Sequence, residues 1–173
     1  MAMLPFTVDQ FFSVFGAYNN AVWPTQVVAY LLGAVAVWAI FAARPWAGRV
    51  VTAILGILWV WNGLAYHLAF FAHINPAAYG FAALFVLQGV LFFGYGTVAG
   101  RLRFAGQIGW SGMLGMVLIA YAAVIYTAMG YFVGHTWPNL PVFGVAPCPT
   151  TIFTFGVLIL AGGPLPMISR RRR

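Results

Sequence analysis

From Val50 to Gly100 the chain carries no charged side chain, and from Phe104 to Ser169 it carries none again. Stretches of that kind cannot cover a surface that faces water, because a soluble domain is about a quarter charged and about half apolar. Of the 173 residues here, 5% are charged and 64% hydrophobic. Lipid is therefore the expected solvent for most of the surface, and the expected fold is an all-α membrane protein forming one domain over residues 1–173.

The few charges then set orientation. Eight basic residues, all arginine, stand against one acid, Asp9, for a net charge of +7. In a soluble protein that excess points to nucleic acid. Here the arginines sit between apolar segments and in a terminal cluster, so the bilayer is the expected partner and nucleic acid is not. Five spans read off the pattern: 22–43, 50–71, 77–98, 107–129 and 150–168. The first is roughly 33 Å long at the helical rise, enough for a hydrocarbon core. Arg44 and Arg49 follow the first span, Arg101 and Arg103 the third, and Arg170 to Arg173 the fifth, in a tail over 169–173. The loops after the second and fourth spans hold none. The positive-inside bias makes the arginine side cytoplasmic and puts the N-terminus, with Asp9, outside. The N-terminus lacks a basic region before its first apolar run, so no secretory signal peptide is expected.

Ahead of the spans, residues 7–20 predict a short amphipathic helix lying at the interface. Thr7 and Gln10 are spaced as a capping box, and Phe6 and Phe11 as a hydrophobic staple. Asp9, Ser13, Gly16 and Asn20 recur on one side, with Phe11, Phe12, Val14, Phe15 and Tyr18 covering most of the rest. Of the outer loops, the one from Gly130 to Pro149 is too apolar for an extended disordered segment and is expected to pack on the mouth of the bundle. Trp23, Tyr79, Tyr131 and Trp137 suit an aromatic belt there. Gly96 with Gly100, Gly130 with Gly134 and Ser111 with Gly115 are four apart, a spacing that lets helices approach closely.

Chemistry concentrates on the outer half. In the second span Trp59, Asn62, Tyr66 and Phe70 share a helical face while His67 points elsewhere. Polar groups at that depth face protein or water rather than lipid. His67 is then either a ligand or proton carrier in a polar pocket, or the partner of an interhelical hydrogen bond to Gln88, Tyr121 or Thr127. His73 and His135 each stand three residues before a proline, a match that would fit duplication of a two-helix hairpin. His67, His73, His135 and Cys148 would together suit copper or zinc, although none is spaced as a ligand pair. Pro147-Cys148-Pro149 reads as a rigid turn opening the last span, with Thr150 or Thr151 capping free amides. That helix end would hold an anion or favour the thiolate.

Asp9 lies outside the spans, so no membrane carboxylate is present for proton or sodium coupling. No phosphate loop, dinucleotide fingerprint or catalytic triad is present either, and no cofactor is expected.

The runs MLPFTVDQFFSVFGAYNNAVWPTQ, WNGLAYHLAFFAHINPAAYGFAALFVLQG and FGVAPCPTTIFTFG together resemble an uncharacterised family of bacterial integral membrane proteins, catalogued only as a domain of unknown function. The resemblance implies a bacterial inner-membrane protein. It also implies further apolar spans beyond the last segment, whereas this chain ends at Gly163-Pro164-Leu165-Pro166 and four arginines and so reads as a shortened member or a truncated reading. The expected function is transport or binding of a small solute or metal ion in an outer polar pocket lined by Asn62, Tyr66, His67, His135 and Cys148. The alternative is an accessory subunit contacting a membrane-protein partner or its own copies. An enzyme or haem protein ranks below both.

Overall fold

The computed structural model describes residues 5–104 and 109–161, and among these every regular element is a helix. Seven α-helices follow in order: α1 (Val8–Ala21), α2 (Thr25–Ala42), α3 (Ala47–Trp61), α4 (Ala78–Leu91), α5 (Trp110–Ala120), α6 (Tyr126–Phe132) and α7 (Pro147–Leu160). Three wider π turns, at Asn62–Leu68, Phe92–Val98 and Tyr121–Ile125, extend α3, extend α4 and join α5 to α6. Four continuous helices result, Thr25–Ala42, Ala47–His73, Ala78–Val98 and Trp110–Phe132, each long and apolar enough to cross a membrane.

Four of the five expected spans thus correspond to helices of sufficient length. The start of the fourth at Gln107 lies outside the described residues. The last helix runs for 14 residues, about 21 Å at the helical rise. Most of the remainder of that expected span, 162–168, and the tail 169–173 lie outside the described residues. The second span begins three residues earlier than expected, because Val50 is already inside a helix that starts at Ala47.

Local chemistry explains the first helix. Thr7 N–H donates to Gln10 Oε1 at 2.8 Å and Gln10 N–H to Thr7 Oγ1 at 3.1 Å, the expected capping box. The Phe6 and Phe11 rings stack 5.9 Å apart as the staple. Phe15, Gly16, Tyr18 and Asn19 are buried against the rest of the bundle. Gly16, expected on the polar side, instead packs against Asn139, where a larger side chain would collide.

Glycines set the helix crossings. A methyl group on Gly115 of α5 would stand 2.9 Å from the Gly156 carbonyl oxygen of α7, and one on Gly156 would stand 2.7 Å from that of Gly115. A methyl on Gly89 of α4 would lie 2.9 Å from the Gly56 carbonyl of α3. Gly96 packs on Thr52, as its spacing suggested, but Gly134 has no neighbour within 4 Å of such a methyl. Of the expected pairs, Gly96 and Gly115 therefore set packing, while their tightest partners come from other helices.

The segment between α6 and α7 does more than cover the bundle mouth. Leu140, Val142, Phe143, Val145 and Ala146 are all buried in the core. Phe143 fills the space opposite Gly33 of α2 and meets Phe153 of α7 at 4.8 Å. Irregular backbone at that depth needs partners for its carbonyls, and side chains supply them. Tyr18 Oη donates to Val145 O at 2.9 Å, and Asn19 Nδ2 to Pro138 O and Leu140 O at 2.7 and 2.8 Å. Asn62 Nδ2 donates to Gly144 O at 2.9 Å, and Thr127 Oγ1 to Pro141 O at 3.3 Å.

Candidate functional site

Where α1, the π turn after α3, α4 and the start of α7 meet, an open groove of about 420 Å³ forms. Phe11 and Phe15 come from α1, Phe81 and Phe85 from α4, and Pro147, Cys148, Thr151 and Ile152 from α7. Tyr66, His67 and Phe71 complete it. The wall is mostly aromatic, less polar than the sequence suggested, with His67, Cys148 and Thr151 among its lining residues.

His67 is only 5% exposed, and neither ring nitrogen has a hydrogen-bond partner. Its ring is instead surrounded by rings, at 4.8 Å from Phe85, 5.7 Å from Phe81 and 5.2 Å from Tyr66. Two of the three side chains considered as interhelical partners are engaged elsewhere: the Tyr121 hydroxyl with Met129 Sδ and Thr127 with the Pro141 carbonyl. A neutral imidazole offers one donor and one acceptor, and here both are buried and unmet. Leaving such groups buried without partners costs about 1–3 kcal/mol each.

Helical periodicity of 3.6 separates Tyr66 from His67, yet both line this groove. The i→i+5 hydrogen bonds of the π turn, such as Ala69 N–H to Leu64 O at 3.1 Å, bring residues five apart into register. Tyr66 and Phe71 accordingly stack at 5.6 Å with ring planes 19° apart. Tyr66 also stacks on Phe15 at 5.0 Å, which ties α1 to the groove wall.

The other candidates go to different places. Asn62 is fully buried and turned towards the inserted loop and α7, where Nδ2 also lies 3.4 Å from Thr150 Oγ1. His135 stacks on Phe12 at 3.6 Å, and His73 is exposed with Nδ1 3.1 Å from the Phe70 carbonyl. Tyr66, His67 and Cys148 share the groove; Asn62, His73 and His135 are not among its lining residues. Among the described residues no three histidine, cysteine or acidic side chains come close enough to hold a metal ion.

The start of α7 differs from expectation in a way that bears on its chemistry. The N-cap is Ala146, without a side-chain cap. Thr150 instead turns back inside the helix, its hydroxyl donating to Ala146 O at 2.7 Å. The Ala146 and Thr150 amides bond to the Val142 and Ala146 carbonyls, and Pro147 and Pro149 have no N–H. In that turn Cys148 is the residue left with an amide to offer, far fewer donors than an anion site draws on. Its thiol is exposed at the groove.

Outside the four long helices, Tyr18 is also held in a buried setting. Burial raises its hydroxyl pKa well above the usual phenolic value, and the 2.7 Å bond from Trp61 Nε1 lowers it only in part.

Phe81, Phe85, Phe11 and Phe15 were not foreseen as site residues. Their signal was present as two Phe pairs at i, i+4, a spacing that places both rings on one helix face. It was indistinguishable from ordinary packing until the two helices faced each other.

These features define an all-helical protein with four helices of membrane-crossing length and an aromatic groove built around an unpartnered histidine. The chain belongs to a family of unknown function, DUF6064, whose model matches residues 8–168. No curated protein and no solved structure matches it.

Proposed function

We propose that this chain is an integral membrane protein that binds a small, largely apolar solute in the aromatic groove, with His67 providing the polar recognition. The observation that carries the reading is the pair of buried, unmet imidazole nitrogens on a residue that lines a groove of about 420 Å³. A pocket mostly apolar with one convergent polar group is the ordinary composition of a small-molecule site. The preferred ligand is an aromatic or branched apolar molecule with a hydroxyl or carbonyl at one end.

We place the protein in the inner membrane of a bacterium, with the groove towards the outer face and the arginines in the cytoplasm. Support comes from the four long apolar helices and from the positive-inside bias. Trp23, Tyr79, Tyr131 and Trp137 are all exposed, which suits an interfacial belt. Passage of the solute across the bilayer would not be driven by a membrane carboxylate, since Asp9 lies in α1.

The test is binding of 1-naphthol, followed by its fluorescence, to protein purified in mild detergent. His67→Leu is expected to weaken binding about tenfold, the loss of one hydrogen bond worth roughly 1.4 kcal/mol. The same change removes two buried unpaired nitrogens and is expected to leave the melting temperature unchanged or higher. Equal affinity of both proteins, or a sharp loss of stability in the variant, would sink the reading and make His67 a packing residue.

A second reading, an accessory subunit or self-associating chain, is favoured by one feature of α4. Gly80 and the Gly94 that follows the helix have open space where a methyl would be built, and Leu84, Leu87 and Leu91 between them are exposed. Such a face lets another helix approach closely.

A further inference from the structure

At the opposite end of the bundle lies a larger groove, about 870 Å³, lined by Arg44, Trp46 and Arg49 on one side and by Gly100, Arg103 and Phe104 on the other. We propose that it binds the phosphate of an anionic phospholipid headgroup, with Arg44, Arg49 and Arg103 as the recognising groups. The proposal rests on the membrane reading above but not on the histidine groove.

Charge balance points first in this direction. The sequence has a single acidic side chain, Asp9, in α1. The helix α2 begins at Thr25 just after α1 and ends at Ala42, immediately before Arg44. Its 18 residues span about 27 Å, well beyond a Debye length of about 8–10 Å. Asp9 therefore cannot neutralise the arginines. Three guanidinium groups around one cavity repel each other until an anion enters, and a phosphate accepts the paired N–H donors that a guanidinium presents.

Packing points the same way, because the two walls are fastened together. Gly48 lies directly against the Leu102 carbonyl, where no side chain would fit, and Gly96 is closed over Thr52. The hydroxyls of Thr52 and Thr97 are 3.0 Å apart, and Thr97 Oγ1 donates to the Arg49 carbonyl at 3.4 Å. The arginine stems thus rise from a fixed frame, which reduces the ordering cost of binding. Trp46, 41% exposed beside them, suits the depth at which indole rings meet lipid headgroups. A basic cavity between helices at the cytoplasmic level is the form that headgroup sites take.

The experiment measures retention of phosphatidylglycerol by native mass spectrometry and the melting temperature with added phosphatidylglycerol, phosphatidylcholine or inorganic phosphate at fixed ionic strength. The proteins compared are the unaltered chain, Arg49→Gln with Arg103→Gln, Arg101→Gln, and His67→Leu. At about 1 kcal/mol for each arginine near an anionic surface, the double variant should lose about 25-fold in phosphatidylglycerol affinity. Arg101, which is not part of the cavity wall, should change it by less than about twofold, and His67→Leu should not change it. A melting temperature in phosphatidylcholine equal to that of the unaltered chain would show that the double variant is folded. Equal retention by the unaltered chain and the double variant would overturn the site. A loss of about fivefold or more on Arg101→Gln, the share of one groove arginine, would also overturn it, leaving attraction by overall charge. Stabilisation by inorganic phosphate equal to that by phosphatidylglycerol would overturn the lipid assignment in favour of a soluble phosphate. A chain that stays dispersed without detergent would overturn the membrane reading itself.

Discussion

Single atoms decide how this protein uses its few polar groups. Asn62 and His67 sit five residues apart on the same π turn, yet Asn62 donates to three oxygens while His67 has none to meet. Gly144 shows the same sharpness in the backbone. Its φ is +78°, and a methyl there would stand 2.5 Å from Ala29 Cβ. Gly144→Ala is expected to destabilise by about 2 kcal/mol or more, from the left-handed backbone and the collision together, as a drop in the thermal midpoint in detergent. Tyr18 makes stability depend on alkaline pH. Its raised pKa means the folded chain keeps a proton that the unfolded chain releases above about pH 10. Stability is therefore intact below that pH and falls as pH rises beyond it. Melting temperatures measured from pH 8 to 11 should fall less steeply in Tyr18→Phe than in the unaltered chain, although that variant starts lower for want of the bond to Val145.

Among the elements, the inserted loop organises the rest. Polar side chains of α1, of the π turn after α3 and of α6 converge on its carbonyls, so those helices are held to the loop as much as to one another. Asn19→Leu and Asn62→Leu each leave buried carbonyls without a donor and should cost about 1–3 kcal/mol. Because both act on the same loop, the double variant should cost less than the sum of the two, which denaturant titrations of the four proteins would reveal. The α5–α7 crossing depends on a different device. Gly115→Leu should separate these helices and lower the thermal midpoint more than Gly80→Leu, whose position is open. The π turns show why element faces were harder to foresee than element positions. Nothing in the residues 62–68 announces a change of helical pitch, and that change places His67 beside Tyr66.

For the molecule as a whole, the sidedness of Cys148 is the accessible test. Its thiol is exposed at the α1 end of the bundle, so a membrane-impermeant maleimide should label it in right-side-out vesicles and not in inverted ones. The reverse pattern would invert the proposed topology. Because Cys148 also lines the groove, a bound solute should slow that labelling several-fold, independently of any change in fluorescence. Much of this architecture was legible in the order of residues. The capping box at Thr7, the positions of the long helices and the grouping of arginines all follow from neighbours within a few residues of each other. The candidate site was legible only in part: Tyr66, His67 and Cys148 came together, whereas Asn62 was drawn to the loop and His135 to Phe12.

The sequence by itself determined that the chain would be helical, where its long apolar helices would lie and which loops would carry its arginines. Each of these depends on local hydrogen bonding, on the 3.6-residue period and on the distribution of charge along the chain. Only the tertiary structure decided that the loop before Pro147 would enter the core, that His67 would remain unpartnered and that Arg44, Arg49 of α3 and Arg103 would share a cavity. Those outcomes depend on contacts between residues as far apart as Tyr18 and Val145. They arise when small residues let particular helices approach, a choice made by the packing of the whole bundle.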